Sequence, residues 1–193
     1  MSLFDCRHEP FELAPELVAR LAAAYAEPQR AYHTAAHIAE VLGWFDVVAD
    51  EVGWTDAGAV YAAIVFHDAI YVPGAKDNEA RSAEWCIVEG FGQRSAQLIE
   101  LTARHGGLVP GDVDAEAALF LDCDMAILAA EPAAFAEYDR QIAFEYQHVP
   151  PEAYRAGRRA FLASVLAKPR IFLSDYFHAK LDARARANLT TSL

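Results

Sequence analysis

The chain has 193 residues, 54% of them hydrophobic and 23% charged, with ten glycines and nine prolines. That is the make-up of one ordinary globular domain, and it excludes disordered, collagen-like and low-complexity classes. Sixteen Lys and Arg against 28 Asp and Glu leave a net charge of −12, which disfavours duplex nucleic acid and anionic membranes as partners, because both are held through cationic contacts.

Apolar residues recur at helical rather than alternating spacing along the chain. Pro15 and Glu16 open a first helix that Leu17 and Leu21 carry to about residue 25, with Pro in the first turn where its missing N–H is no loss. Ile38, Val41, Leu42 and Phe45 mark a second over about 34–52. Thr55 and Asp56 cap a third, which ends in the apolar stretch Ile64-Val65-Phe66. Pro73-Gly74 interrupts, and Asp77 is placed to cap a fourth helix running to Val88. Gly90 and Gly92 separate it from a fifth at about 95–104, closed by Gly106-Gly107. Four more are predicted over about 114–128, 132–146, 151–167 and 175–189, with no β-rich run, repeat or linker. The expected fold is all-α, a single-domain helical bundle spanning 1–193.

Cys6, Cys86 and Cys123 form no CxxC pair, as expected of reduced thiols in a cytosolic protein. The opening MSLFDCRHEPFEL lacks a basic stretch followed by an apolar one. The longest apolar runs, such as AVYAAIVF, fall far short of the ~20 residues of a membrane span. A cytoplasmic location is expected.

Selected histidines lie near acids. YHTAAHIAEV spaces His33 and His37 four apart, so they share a face if the helix has begun there. VFHDAIY puts His67 and Asp68 at the end of a strongly apolar helix, and LFLDCDMAIL embeds Asp122 and Asp124 in an apolar one. A buried carboxylate is costly unless it is paired or metal-bound, which makes one of these two acids informative. Each piece alone has a plainer reading, as hydrogen-bonded histidines, a helix-ending Asp or a solvated face. Together, histidines on two helices and an acid on a third make a mixed N/O ligand set suited to a divalent ion with open positions.

The order His37, His67-Asp68, Asp124 resembles the H…HD…D signature of the HD superfamily of metal-dependent phosphohydrolases. The segments YAEPQRAYHTAAHIAEVL, FHDAIYVPGAKDNEARSAEW, FLDCDMAIL and YDRQIAFEYQHVPPEAYRAGRRAFL, within about 25–162, are similar to a bacterial subgroup of small HD phosphohydrolases with no assigned substrate. The resemblance implies an all-helical fold with His37, His67, Asp68 and Asp124 as metal ligands. YHTAAH also resembles the YHNxxH segment of cyclic-nucleotide phosphodiesterases, which makes His37 the ligand and His33 the proton donor, with Thr34 in place of the Asn. CDM resembles the ADL segment around the last ligand, favouring Asp124 over Asp122.

The function so implied is hydrolysis of a small phosphate ester, a nucleotide or similar, by metal-activated water, with His33, Asp68 and Asp124 in catalytic roles. The metal is a divalent ion, one or two in number, among manganese, iron, nickel, zinc and magnesium. Arg30 and Arg104 are candidates to hold the phosphate, with Lys76, Arg140 and Arg158 as further basic groups; surface cations are the plainer reading of each. His105 either joins a second ion or is a helix C-terminal histidine favoured by the macrodipole. Asp77 and Glu79 could orient ligand histidines. A di-iron oxygenase and a non-catalytic metal- or nucleotide-binding module are the alternatives. Aromatic residues on the distal helices could serve a homodimer interface.

Overall fold

A computed structural model describes residues 3–193. The described chain is all-α: α1 Pro15–Tyr25, α2 Ala35–Glu51, α3 Ala57–Phe66, α4 Asn78–Val88, α5 Gly92–Thr102, α6 Ala115–Met125, α7 Pro132–Glu145, α8 Pro151–Leu166 and α9 Asp175–Thr191, with short 3-10 turns at His105–Gly107 and Ala126–Ala129. Among the described residues no helix is long and apolar enough to cross a membrane. The chain divides into two compact units, Met1–Ala103 and Arg104–Leu193.

The helix starts follow from local chemistry. Proline fills the first turn of α1, α7 and α8, where no intrahelical acceptor awaits an N–H. Thr34, Asp56, Asp114 and Ser174 cap α2, α3, α6 and α9, each side-chain oxygen accepting from a backbone N–H two or three residues on. Asp77 holds the N-cap position of α4 without a side-chain cap bond. The neighbouring Asn78 does the tying instead: its Oδ1 accepts from Val72 N–H and its Nδ2 donates to Val72 O, both at 3.0 Å. At the end of α2 the N–H groups of Val52 and Gly53 both reach Val48 O at 2.8 Å. Gly53 manages this at φ +92°, a conformation a side chain would resist.

In the first unit α3 is the axis. Every residue from Ala59 to Phe66 is buried, and α2, α4 and α5 pack around it. A helix apolar on all sides has to be enclosed, so the polar residues at its C-terminal end are fixed at the edge of a core. The N-terminal segment docks on the same unit. Phe4 is fully buried and its carbonyl accepts from Tyr61 OH at 3.0 Å, while Asp46 on α2 accepts the backbone N–H groups of Arg7 and His8.

In the second unit α9 is secured from both ends. Asn188 Nδ2 donates to Leu128 O and Ala130 O at 3.0 and 2.9 Å. Asp182 accepts Ile171 N–H at 2.7 Å and Arg186 Nε at 2.6 Å, and Arg186 gathers the carbonyls of Leu166, Lys168 and Pro169. This closes the α8–α9 connection. Burial pushes the Asp182 carboxyl up, but the Ile171 N–H, Arg186 and His178 together hold it below the ordinary carboxylate value. A carboxylate whose folded pKa is depressed stabilises the fold above its unfolded pKa, about 3.9, and that contribution disappears as pH falls below it. Acid denaturation of the wild type should therefore steepen below about pH 4, and Asp182→Asn should remove that component while lowering stability at neutral pH. Equal acid limbs in urea titrations of the two proteins would sink this account.

Candidate metal centre

The first unit brings His37, His67 and Asp68 together. His37 lies one turn into α2, and His67 is the C-cap of α3, its N–H still bonded to Ala63 O at 2.9 Å. Both rings are buried. His67 Nδ1 lies 2.8 Å from Ile64 O. A carbonyl only accepts, so Nδ1 carries the proton and a neutral ring presents its lone pair at Nε2. That Nε2 is 3.2 Å from His37 Nε2 and 3.0 Å from Asp68 Oδ2, and His37 Nε2 is 3.6 Å from the same oxygen.

Three donor atoms so spaced are held together by a shared proton or by a cation among them. Bonds of about 2.1 Å to an ion put ligand atoms about 3.0 Å apart at octahedral corners and about 3.4 Å apart at tetrahedral ones. The observed separations of 3.0, 3.2 and 3.6 Å fall around those values. Burial pushes the Asp68 carboxyl up, but His67, His33 and His37 outweigh it and hold the group well below the usual carboxylate range. It therefore stands ionised, as a ligand must.

His33 lies before the helix. Thr34 is the N-cap of α2, its Oγ1 accepting Ala36 N–H at 3.3 Å, so the four-residue spacing does not stack the two rings one turn apart. His33 is half-buried and lies face to face with Tyr71 at 4.1 Å between centroids, and its ring stands 6.2 Å from that of His37. Tyr71 shows in the sequence only as an aromatic residue shortly before the Pro73-Gly74 turn that follows His67-Asp68.

Arg30, a candidate to hold phosphate, lies inside the first unit. Its side chain is fully buried. Nη1 donates to His33 O and Asp68 O at 3.0 and 2.7 Å, Nη2 to Ala69 O at 3.0 Å, and Nε to Glu27 at 3.1 Å. Its plane lies near the rings of Tyr25 and Tyr71. Tyr25 OH donates to Val65 O at 2.8 Å, and Ser82 Oγ accepts Ile70 N–H at 3.0 Å, so the backbone around His67-Asp68 is pinned from several sides. Lys76 and Asp77 are exposed and Glu79 half-exposed.

In the second unit the two neighbouring acids of α6 separate. Asp122 is buried, and accepts Leu173 N–H at 2.8 Å and the Ser174 N–H and Oγ at 2.7 and 2.6 Å; it braces the N-terminus of α9. Asp124 meets His105, Oδ2 to Nδ1 at 3.1 Å, close enough for an ion pair though without hydrogen-bond alignment. Arg104, beside it, is exposed. Arg140 pairs with Glu137 on the surface. His8 pairs with Asp50 at 2.7 Å and His178 with Asp182 at 3.2 Å. Burial raises all three thiols: Cys6 and Cys86 to about 12, and Cys123 well above its ordinary value.

By donor chemistry, the imidazole nitrogens of His37 and His67 and the carboxylate oxygen of Asp124 are each of a type that holds a metal ion. Comparison with protein-family models, with curated proteins and with solved structures returned no match.

Two substitutions separate bracing from chemistry. Arg30→Met leaves three backbone carbonyls without their donors and should lower stability by about 2–4 kcal/mol. Asp122→Ala strips three donors of one acceptor and should cost a similar amount, while leaving metal affinity within a few-fold of wild type. Chemical denaturation and metal titration check both; an Arg30→Met protein of unchanged stability would return that residue to ligand binding.

Proposed function

We propose that this chain is a metal-dependent hydrolase of small phosphate esters. The observation that carries the reading is the convergence of His37 Nε2, His67 Nε2 and Asp68 Oδ2 at 3.0–3.6 Å, with the tautomer of His67 set by Ile64 O. His37, His67, Asp68 and Asp124 would hold the ion, and the contact of His105 with Asp124 supports His105 as a ligand of a second one. A divalent ion at such a set lowers the pKa of a bound water and neutralises phosphoryl oxygens.

The remaining roles fall to the chain itself. Asp68, its Oδ2 3.0 Å from His67 Nε2, supplies negative charge where the ion needs it. Asp124 orients the attacking water. His33, partly open to solvent and steadied against Tyr71, donates a proton to the leaving oxygen, a contribution typically worth about 10²–10⁴ in rate. The Arg30 network fixes His33 and Asp68 relative to each other through their carbonyls. An acidic chain of this size suits a small substrate, a nucleotide or similar ester, over a phosphate polymer.

The test is elemental analysis of the purified chain together with a screen of phosphate esters in added manganese. Near-stoichiometric metal and phosphate release are expected. His67→Ala and Asp68→Asn should lose metal with the helical spectrum intact. His33→Ala should keep its metal and slow turnover by about 10² or more. Full metal content in the His67→Ala and Asp68→Asn proteins would overturn the site. Two irons per chain without phosphate release would replace hydrolysis with oxygen chemistry.

A further inference from the structure

The second unit contains a buried cation with an unused donor. Arg158, on α8, is 12% exposed at its side chain. Its Nε donates to Asp139 at 2.9 Å and its Nη1 to Tyr138 OH at 3.3 Å. The guanidinium lies 4.9 Å from the Tyr138 ring centre and 5.6 Å from that of Phe161. Nη2 is buried with no hydrogen-bond partner, and so is the hydroxyl of Tyr154. Tyr154 and Arg158 stand four apart on α8, so they share a face.

A clamp between α7 and α8 explains the ring contacts and the Asp139 pair. It does not explain two buried donors left without acceptors, an arrangement that costs stability unless a ligand satisfies them. Both are donors, and one belongs to a cation whose planar fork matches the oxygens of a carboxylate or phosphate. The surroundings link this spot to the candidate ligands of the same unit. Phe161 packs at Gly106, where a Cβ would come within 3.3 Å of its ring, and Gly106 follows His105, the partner of Asp124. Tyr138 also lies close enough to Asp124 to feel its charge.

We propose that Arg158 Nη2 and Tyr154 OH form an oxyanion-binding subsite of the second unit that takes a phosphate group. That the oxyanion is a substrate phosphate rests on the hydrolase reading; that an oxyanion binds there does not, because neither residue is a metal ligand. Asp139 pairs with Nε and leaves the buried Nη2 without an acceptor, and Tyr154 adds a neutral hydroxyl donor.

The experiment is titration of the metal-stripped full chain with inorganic phosphate, followed by NMR of the arginine Nε–H and backbone signals of α8. Saturable binding is expected. Tyr154→Phe, which keeps the ring and loses only the hydroxyl, should weaken it about three- to tenfold with unchanged circular dichroism and melting temperature. Arg158→Lys, which keeps the charge and loses the fork, should weaken it about tenfold or more; if that protein does not fold, Tyr154→Phe decides alone. His67→Ala should bind phosphate as the wild type does. No saturable binding by the wild type, or equal binding by wild type and Tyr154→Phe, overturns the subsite. Phosphate binding that follows this pattern without turnover of any ester keeps the subsite and overturns the hydrolase.

Discussion

One buried guanidinium joins the two segments on which the candidate centre depends. Arg30 donates at once to the carbonyl of His33 and to those of Asp68 and Ala69, residues far apart in sequence. Removing a charge from water is expensive unless it is paired and every donor is met, and here Glu27, three carbonyls and two aromatic faces meet it. The backbone on either side therefore has little freedom. Tyr25, reaching from α1 to Val65 O, and Ser82, holding Ile70 from α4, brace the same short stretch.

That bracing matters because of where α3 ends. A helix buried on every side delivers its C-terminal residues into the protein interior, where His67 completes the last turn through its N–H and uses Nδ1 on Ile64 O. The ring is then committed to one tautomer and one direction. The outer carboxylate of Asp68 and the His37 ring arrive at the same lone pair. Such geometry is stable with a cation or a proton at its centre and strained without one. The same low-dielectric surroundings would make an isolated Asp68 take up a proton, so its ionised form depends on positive charge beside it, carried by protonated imidazoles or by an ion.

The second unit shows how two acids of one type, two residues apart, come to differ. Asp122 points to the start of α9 and accepts from backbone and hydroxyl donors; those bonds lower its pKa, but burial outweighs them and raises it to about 6. Asp124, on another face of α6, meets a histidine. Helical neighbours two apart point about 200° away from each other, and that angle alone sends one to a structural task and leaves the other with titratable company.

Much of this was legible without coordinates. The all-α class followed from periodicity, and the starts of α1, α7 and α8 from proline, because both are local effects. The candidate ligands could be listed from their contexts: His37, His67, Asp68 and Asp124 each stand beside an apolar run. Three things were not legible. Arg30 reads equally as a phosphate-holding cation or a surface one, and tertiary contacts bury it and direct its donors to carbonyls. His33 reads as one turn from His37, yet Thr34 takes the cap and leaves His33 outside the helix against Tyr71. Asp77 reads as a cap, yet its neighbour Asn78 makes the bonds to Val72. Residue type and spacing by themselves determined which elements form and which side chains can carry chemistry. Only the tertiary structure decided which polar groups meet each other, because the partner of a buried donor lies dozens of residues away and no local pattern encodes it.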